Sequence, residues 1–369
     1  MPAFSPHQDV ALTAVAAWLK AKPGRGNTKP IFRLFGYAGT GKTTLARHIA
    51  EGVDGEVKFA AFTGKAALVM RNKGCEGAST IHSLIYRARE SGKETPSFEL
   101  WDQAPASNAE LIIIDECSMV DAELGRDLMS FGVPVLVLGD PAQLPPIQGG
   151  GFFTEAEPDV MLTEVHRQAR DNPIIRLSMD VRAGERLELG DYGATQVVRK
   201  DALDPQRVVD AEQVLVGRNA TRRAYNGRMR ERRGFKGALP EAGDKLVCLR
   251  NNRKKGLFNG GLWRVKEKSP SRKNILKMRL AADEEFGGRD LKVSVRPECF
   301  TGAIEEVDWP QRKRHDEFDF GYVLTVHKAQ GSQWDDVVLF DESFAFPESR
   351  ERWLYTGITR AAKRLTVVV

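Results

Sequence analysis

Near-continuous apolar runs alternate with helical stretches over the first part of the chain. The runs IFRLFG, VKFAA, LIIID and VPVLVLG are typical of strands that a parallel sheet buries on both faces. Between these runs, apolar positions recur at helical spacing, as they do over residues 8–20. The pattern predicts one α/β domain over residues 1–154, with a polar, turn-rich surface insertion at about 87–108.

The same alternation resumes from about Val160 and is interrupted once. The segments AEQVLVGRN, FGYVLTVH, DDVVLFD and KRLTVVV predict strands of a second α/β domain, which we assign to residues 155–237 and 318–369. Between the two parts, residues 238–317 form short alternating segments joined by Gly and Asn turns, a pattern typical of a small β-barrel. The sequence therefore predicts two parallel-sheet domains with a barrel inserted in the second.

Length and composition agree with a soluble, multidomain protein. The 369 residues exceed one typical core, and 41% apolar and 28% charged residues are ordinary for a globular chain. A formal charge of +5 is too modest to indicate a nucleic-acid partner by itself. Residues 218–236 carry eight basic residues and one acidic one. That run is either a solvated helix face or part of a nucleic-acid surface.

The cysteines and the first residues bear on cellular location. Cys75, Cys117, Cys248 and Cys299 stand alone without a CxxC pair, so no zinc site is expected, and isolated thiols fit a reducing compartment. The N-terminal segment lacks a basic region followed by a signal-type cleavage site. No apolar run approaches the roughly 18 residues that a membrane span needs. We expect a cytoplasmic protein with no membrane partner.

The segment GYAGTGKTT has the spacing of a phosphate-binding loop, with a predicted strand before it and a predicted helix after it. In such a loop, backbone N–H groups and the helix N-terminus surround the phosphates. Lys42 can reach the β- and γ-phosphates, and the Thr43 hydroxyl can bind Mg²⁺. The candidate nucleotide-binding residues of the loop are Gly39, Thr40, Gly41, Lys42, Thr43 and Thr44.

Two acidic residues follow the buried strand LIIID. Asp115 ends that strand beside the expected phosphate position, where a carboxylate can bind the magnesium ion together with Thr43. Glu116 can orient or deprotonate the attacking water. The alternative, two acids that merely face solvent, is weak beside a phosphate loop. Together these residues predict a core that hydrolyses a nucleoside triphosphate.

Three further polar residues are candidates for the same reaction. Gln143 follows the strand VPVLVLG and can sense a γ-phosphate by a hydrogen bond without adding charge. Arg167 in LTEVHRQ and Arg360 in YTGITRAAKRL can stabilise charge on a transferring phosphoryl group. Taken alone, either arginine is more often a surface residue.

Eight motifs in order resemble those of the superfamily one helicases: GYAGTGKTT, AFTGKAA, STIHSLI, IIIDECSMV, GDPAQLPP, LTEVHRQ, LTVHKAQGSQ and YTGITRAAKRL. The set is most similar to the RecD-like subgroup, which includes Dda-type and conjugative-relaxase helicases. The resemblance covers about residues 8 to 365. It implies two RecA-like domains with ATP in the cleft between them, a need for ATP and Mg²⁺, action as a monomer, and 5′-to-3′ travel.

The resemblance also implies roles for individual residues. Gln8 would read adenine, although a glutamine before a helix is often only part of its cap. Arg167 and Arg360 would come from the second domain. Contacts to single-stranded DNA would come from five residues, each of which could instead be a helix cap or a polar core residue: Thr63, Thr80, His82, Thr325 and His327.

Two insertions and one departure complete the comparison with the subgroup. Residues 238–317 resemble its SH3-like barrel, and residues 87–108 resemble its strand-separating pin, in which Phe98 or Trp101 could stack on the last base pair or anchor the loop. Related helicases often have glutamate after QGS, where this chain has Gln333, so nucleotide affinity or preference is in doubt. No nuclease-type carboxylate cluster is recognisable, and we expect no DNA cleavage.

The resulting hypothesis is an ATP-dependent helicase that moves on single-stranded DNA and unwinds forked duplex DNA. Two alternatives remain open at this point. The chain could be an ATP-switched nucleic-acid-binding module that does not separate strands. It could also be an RNA-directed enzyme, because backbone contacts hardly distinguish the two sugars.

Overall fold

The computed structural model describes residues 4–23, 29–88, 98–145, 151–164, 171–252, 255–272, 274–282 and 290–369. Contacts divide the chain into two compact units. Unit one holds most of the chain up to Leu187 together with Glu348–Thr359. Unit two holds Glu188–Pro347 and Arg360–Val369.

The regular elements of the described residues are numbered in chain order. The strands are β1 Ile31–Gly36, β2 Val57–Ala61, β3 Ser79–Thr80, β4 Tyr86–Ala88, β5 Phe98–Leu100, β6 Leu111–Asp115, β7 Val135–Gly139, β8 Val160–Leu162, β9 Gly190–Asp191, β10 Thr195–Val198, β11 Gln213–Val216, β12 Lys245–Cys248, β13 Leu262–Arg272, β14 Ile275–Ala282, β15 Asp290–Val295, β16 Phe318–Phe320, β17 Val323–Thr325, β18 Trp334–Phe340 and β19 Ala361–Val368. The α-helices are α1 Pro6–Lys20, α2 Lys42–Glu51, α3 Gly64–Asn72, α4 Ile81–Ile85, α5 Ala122–Met129, α6 Pro173–Arg182, α7 Pro205–Asp210, α8 Asn219–Arg232, α9 Glu298–Thr301, α10 Trp309–Lys313 and α11 Arg350–Ile358.

Unit one is built on a six-stranded sheet with the order β3-β2-β6-β7-β1-β8. Every neighbouring pair in this sheet is parallel, so all six carboxyl ends lie at one edge. Every residue of β6 and β7 is buried, which explains why both strands read as unbroken apolar runs. The predicted parallel α/β core is confirmed.

Successive side chains of these strands serve two separate hydrophobic clusters. On one face, Leu34 and Ile113 belong to a cluster that includes residues of α1, α2 and α3. On the other face, Phe35 and Ile114 belong to a cluster that includes residues of α4 and α5. Helices therefore cover both faces, as a parallel sheet requires.

The end of unit one differs from the predicted break at residue 154. Strand β8 pairs with β1 and completes the first sheet, and α6 packs against α11 within the same unit. The described residues within 155–187 and 348–359 therefore group with the first sheet by their contacts. Apolar patterning identifies a strand, but it carries no information about which sheet that strand joins.

Unit two contains a second six-stranded sheet with the order β17-β11-β18-β19-β10-β9. Five of its strands are parallel, and β9 pairs antiparallel with β10 at the edge. A five-stranded antiparallel sheet, β15-β14-β13-β12-β16, lies between β11 and β17 in sequence. The outer strand β15 meets the segment just before β16, because the Asp316 N–H donates to the Ser294 carbonyl at 2.8 Å and Val295 forms an isolated bridge with Asp316.

One hydrophobic cluster extends through the parallel sheet of unit two and the antiparallel strands. Val214 and Val338 of the parallel sheet share it with Leu246, Trp263 and Leu280 of the antiparallel sheet. The antiparallel segment is thus packed onto the second sheet and has no separate core of its own among the described residues.

The predicted insertion near residue 87 contains a small antiparallel pair, β4 and β5, in which Tyr86 lies opposite Leu100. The Trp101 N–H donates to the Ile85 carbonyl at 3.1 Å and continues this connection. No helix among the described residues has both the length and the apolar character needed to cross a membrane.

Candidate nucleotide and nucleic-acid sites

The phosphate loop connects β1 to α2 in a conformation that requires glycine. A Cβ on Gly36 would lie 2.7 Å from Thr40 Oγ1 and 2.8 Å from Leu162 Cβ. Gly39 and Gly41 have φ values of 79° and 80°, in the left-handed region that glycine adopts without strain. Gly41 precedes α2 without a side-chain cap, so the first-turn N–H groups are left for an anion.

The side chains of Lys42 and Thr43, at the start of α2, make hydrogen bonds beside the phosphate loop. Lys42 Nζ donates to the carbonyls of Gly36 at 2.7 Å and Tyr37 at 3.0 Å. Thr43 Oγ1 donates to Asp115 Oδ2 at 2.9 Å. A hydroxyl and a carboxylate are hard oxygen donors of the kind that Mg²⁺ prefers. The residues predicted for the metal therefore fit it in chemistry and in proximity.

Glu116 follows Asp115 in an unusual backbone conformation. Its φ of 53° and ψ of 46° lie in the left-handed region, which is uncommon for a residue other than glycine. Its N–H donates to Asp115 Oδ1 at 2.8 Å, so both carboxylate oxygens of Asp115 accept hydrogen bonds. Strained backbone of this kind is often found at functional sites.

Gln143 lies beyond the end of β7, in a segment that α11 supports. Its side chain is buried, and its Oε1 atom has no hydrogen-bond partner among the described residues. The N–H of the next residue, Leu144, donates to Thr356 Oγ1 at 3.0 Å. A buried oxygen without a partner costs about 1–3 kcal/mol, and such atoms often await a ligand or water.

A tyrosine that sequence reasoning missed connects α11 to the phosphate loop. The Tyr355 hydroxyl donates to Asp140 Oδ2 at 2.6 Å and accepts from the Ala38 N–H at 3.1 Å. Burial, and then the charge of Asp140, raise the pKa of Tyr355 well above its usual value. Two features of the sequence could have pointed to this contact: Asp140 directly follows β7, and Tyr355 begins the motif YTGITRAAKRL.

Gln8 takes part in the cap of α1, which was the alternative to adenine reading, and its side chain also contacts the phosphate loop. Its Oε1 accepts from the Ser5 N–H at 3.0 Å in a capping box at the start of α1. Its Nε2 donates to the Thr40 carbonyl at 3.1 Å. The side chain thus joins α1 to the phosphate loop, while adenine reading stays a prediction.

The first-unit residues predicted for DNA lie at the edge of the sheet that carries Asp115. Thr63 follows β2 and caps α3, and Thr80 ends β3 and caps α4, so both have the capping role that the sequence left open. Ala61 at the end of β2 lies opposite both Thr80 and Asp115 in register. His82 is exposed, with its ring 6.1 Å from that of Phe62 and 5.7 Å from that of Tyr86.

In unit two the predicted residues fall at opposite ends of the parallel strands. Thr325 ends β17, where its Oγ1 accepts from the Lys328 N–H at 3.3 Å, and His327 follows it. Burial lowers the pKa of His327. Gln333 is exposed just before β18, and Arg360 is buried just before β19. The Trp334 N–H donates to the Arg360 carbonyl at 2.9 Å, so these two lie at the amino ends.

Residues 326–333 consequently run from the carboxyl end of β17 to the amino end of β18. Gly331 makes a turn there with a φ of 71°, and Arg360 Nη1 donates to the Ser332 carbonyl at 3.1 Å. This short segment connects the predicted DNA residues of unit two with its predicted nucleotide residues.

Two of the predicted residues, Arg167 and Phe98, lie wholly or partly outside the described structure, and a third, Trp101, lies inside it. Arg167 lies outside the described residues. Phe98 lies in β5, but its side chain is outside the described part of the chain. Trp101 is partly buried after β5, and neither of its two proposed roles is tested.

Comparison with known proteins agrees with this geometry. A family model described as an AAA domain matches residues 26–202, and one described as a UvrD-like helicase C-terminal domain matches residues 320–368. The ATP-dependent RecD2 DNA helicase of Deinococcus radiodurans is 30% identical over 90% of this chain and 46% of its own length. The ATP-dependent DNA helicase Dda of Enterobacteria phage T4 is 33% identical over 41% of this chain and 37% of its own length. The chain spans less than half of the length of these relatives.

Two solved structures share the fold. Bacteroides Pif1 bound to single-stranded DNA has a TM-score of 0.62 and 19% identity, covering 100% of this chain and 92% of that chain. Pif1 helicase from Candida albicans has a TM-score of 0.58 and 18% identity, covering 100% of this chain and 95% of that chain. The fold and the loop define a phosphate-loop protein with a RecA-like parallel-sheet core. The chain thus resembles ATP-dependent DNA helicases of superfamily one: its first part matches the AAA-domain model, its last part matches the UvrD-like helicase model, and RecD2 and Dda are similar in sequence.

Proposed function

We propose that this chain is an ATP-driven helicase that moves 5′-to-3′ on single-stranded DNA and separates duplex DNA at forks. The observation that carries the proposal is the arrangement of the first sheet. Its adjacent strands β6, β2 and β3 end at Asp115, before Thr63 and at Thr80. Candidate nucleotide and DNA residues therefore share one edge of one rigid sheet, which is how a change at a phosphate can reach a bound strand.

Each residue has a proposed task in hydrolysis. The loop from Gly39 to Thr44 surrounds the phosphates, and Lys42 leaves the carbonyls of Gly36 and Tyr37 to contact the β- and γ-phosphates. Thr43 and Asp115 would hold Mg²⁺, which would neutralise phosphate charge. Glu116 orients or deprotonates the attacking water. The remaining proposed contacts to the nucleotide are Gln8, Gln143, Arg167, Gln333 and Arg360.

The DNA contacts are proposed to be Thr63, Thr80 and His82 in unit one, and Thr325 and His327 in unit two. Hydroxyl, imidazole and backbone groups bind phosphates without reading sequence, which suits a motor that must pass every base. The antiparallel strands of unit two, in which β15 forms a bridge to Asp316 just before β16, support the proposal of an SH3-like barrel at 238–317. The β4–β5 pair supports a strand-separating pin, with Phe98 or Trp101 as its stacking residue.

The first test measures ATP hydrolysis with and without single-stranded DNA. The wild-type rate should rise with DNA, and Lys42→Ala should lower it by on the order of a hundredfold or more, because one charge-stabilising contact is lost in the transition state. Lys20→Ala is the matched control, since Lys20 is an exposed lysine at the end of α1 in the same unit. Lys42→Ala should still bind single-stranded DNA.

The second test measures strand release from duplexes with a 5′ tail or a 3′ tail. ATP-dependent release from the 5′-tailed duplex alone supports the proposal. DNA-stimulated hydrolysis without release from either duplex would instead indicate an ATP-switched binding module. Equal competition by RNA of the same sequence would argue against a preference for DNA.

A further inference from the structure

An exposed phenylalanine lies at the carboxyl edge of the parallel sheet in unit two. Phe344 is 65% exposed, in the short turn of helix Ser343–Ala345 that follows β18. The neighbouring residues Glu342 and Ser343 are buried. An isolated aromatic ring is too small to anchor a protein interface, which buries about 800 Å² per partner. The ring lies at the same carboxyl edge of the sheet as the proposed DNA residue Thr325, and its size matches that of one planar partner such as a nucleic-acid base.

A buried carboxylate fixes the backbone beneath this ring. Glu342 accepts hydrogen bonds from the N–H groups of Gly217 at 2.8 Å and Arg218 at 2.9 Å, and from Arg218 Nε at 2.9 Å. The Thr221 hydroxyl also donates to it. These bonds join the turn after β18 to the turn after β11, and Phe344 projects from a rigid support.

Gly217 allows the two turns to approach so closely. A Cβ at this position would lie 2.8 Å from Glu342 Cβ and 3.1 Å from Phe346 Cε2. The β11 and β17 strands are adjacent, with Val216 opposite Thr325, so the same edge carries the proposed DNA residue Thr325. Three strand ends thus contribute to one surface.

The surface combines aromatic rings with cationic or imidazole side chains. The guanidinium carbon of Arg218 lies 5.4 Å from the ring centroid of Phe344. The His327 ring lies 5.1 Å from that of Phe346. Arg218 Nη2 lies 2.7 Å from Glu342 Oε1, so the charge of Arg218 is already balanced. Arg218 is therefore better suited to pack against the Phe344 ring than to neutralise a phosphate.

We propose that Phe344, held by Arg218 and Glu342, is a stacking site for one unpaired base of the bound strand. The site rests on the proposed function, because it needs a single strand at this edge. Every base offers a π-face, so stacking on Phe344 would grip the strand without sequence preference. It would add a contact to the base, whereas the residues proposed above contact the backbone.

The test compares the affinities of wild type and Phe344→Ala for oligothymidine and for an abasic oligonucleotide of equal length, by fluorescence anisotropy without nucleotide. Phe344→Ala should weaken oligothymidine binding by about 5- to 150-fold, the range for loss of one stacked base. Wild type and variant should bind the abasic strand equally. Phe344→Trp should retain affinity, while Phe344→Leu, which is apolar but not aromatic, should lose it.

Tyr192→Ala is the matched control, because Tyr192 is another exposed aromatic of unit two, 44% exposed beside β9; its affinity should be unchanged. Thermal melting of each variant checks that the fold is retained. Equal binding of oligothymidine by wild type and Phe344→Ala overturns the stacking site alone. An equal loss on both oligonucleotides overturns it as well. A wild-type protein that binds neither oligonucleotide overturns the proposed function instead.

Discussion

At the scale of single residues, the phosphate loop is held by more than its own glycines. The Tyr355 hydroxyl joins the Ala38 N–H to the Asp140 carboxylate, and Gln8 Nε2 holds the Thr40 carbonyl. In the same unit, the Arg182 guanidinium carbon lies 3.5 Å from the ring centroid of Tyr37. Side chains from α1, α6 and α11 therefore fix the loop from several directions before a nucleotide arrives, which lowers the cost of ordering it on binding.

Tyr355→Phe should test this support. The change removes one hydroxyl and leaves the buried Asp140 carboxylate and the Ala38 N–H without that partner, at a cost of about 1–3 kcal/mol in unfolding free energy. Because Ala38 lies in the loop, nucleotide affinity should also fall. Urea unfolding gives the first quantity, and titration with ADP in the absence of DNA gives the second.

Tyr86→Phe provides the control for Tyr355→Phe. The Tyr86 hydroxyl also donates to an aspartate, Asp127, and burial raises the pKa of Tyr86 above its usual value. This variant should lose comparable stability and keep its affinity for ADP. If both variants lost affinity equally, the loss would reflect general destabilisation, and a specific role for Tyr355 would be wrong.

Sequence reasoning predicted the residues of the loop and named Gln8, but it did not find the contact between Tyr355 and Asp140. The loop residues are consecutive in the chain, and their spacing alone indicates phosphate binding. Tyr355 and Asp140 are 215 positions apart, so only the folded chain shows that they meet. The sequence also could not decide whether Thr63 and Thr80 contact DNA or cap helices. A hydroxyl that caps a helix has the same sequence signature as one that binds phosphate.

At the scale of elements, residues 326–333 connect the two ends of the parallel strands in unit two. The carboxyl end of β17 carries Thr325 and His327, and the amino ends of β18 and β19 follow Gln333 and Arg360. A displacement at the end that carries the proposed DNA residues can pass through eight residues to the other end. The segment depends on Gly331, whose φ of 71° is unfavourable for other residues.

Gly331→Ala should uncouple hydrolysis from DNA. A Cβ in the left-handed region costs about 1–2 kcal/mol, and the segment should relax away from its present path. We expect the ATPase rate without DNA to be retained while its stimulation by single-stranded DNA falls severalfold. A steady-state ATPase titration with oligothymidine measures both quantities.

Gly260→Ala is the matched control for Gly331→Ala. Gly260 has a φ of 85° in a turn before β13, and a Cβ there would meet no atom within 4 Å. It carries the same backbone strain in the same unit, away from the proposed sites. Stimulation should be unchanged in this variant, and an equal loss in both would show that strain in unit two is enough to abolish coupling.

The elements themselves were largely predictable from the sequence. The strands of both parallel sheets are buried on two faces, and this burial produces the apolar runs that identify them. The strand β8 and the helix α11 lie within residues 155–237 and 318–369, which the sequence analysis assigned to the second domain. Their partners β1 and α6 are set by tertiary packing, which periodicity does not encode.

At the scale of the whole molecule, the sequence divides the chain into three parts, whereas contacts divide it into two units. The difference comes from the cluster that joins the antiparallel strands to the second parallel sheet. Leu280 of β14 and Val338 of β18 are both fully buried in that cluster. Because cooperative unfolding follows shared cores, the antiparallel segment and the second sheet should unfold together.

Core substitutions in each part should therefore shift two unfolding transitions and not three. Leu280→Ala should destabilise unit two by about 2–5 kcal/mol, the usual cost of a leucine truncated in a core. Val338→Ala should shift the same transition by a smaller amount, because two carbon atoms are removed from the core and not three. Leu136→Ala, in the core of unit one, should shift the other transition. Hydrogen exchange followed by mass spectrometry at increasing urea assigns each transition to its residues. A variant at Leu280 that exposes residues 245–320 to exchange, while β11 and β18 stay protected, would contradict a shared core and restore the three-part division.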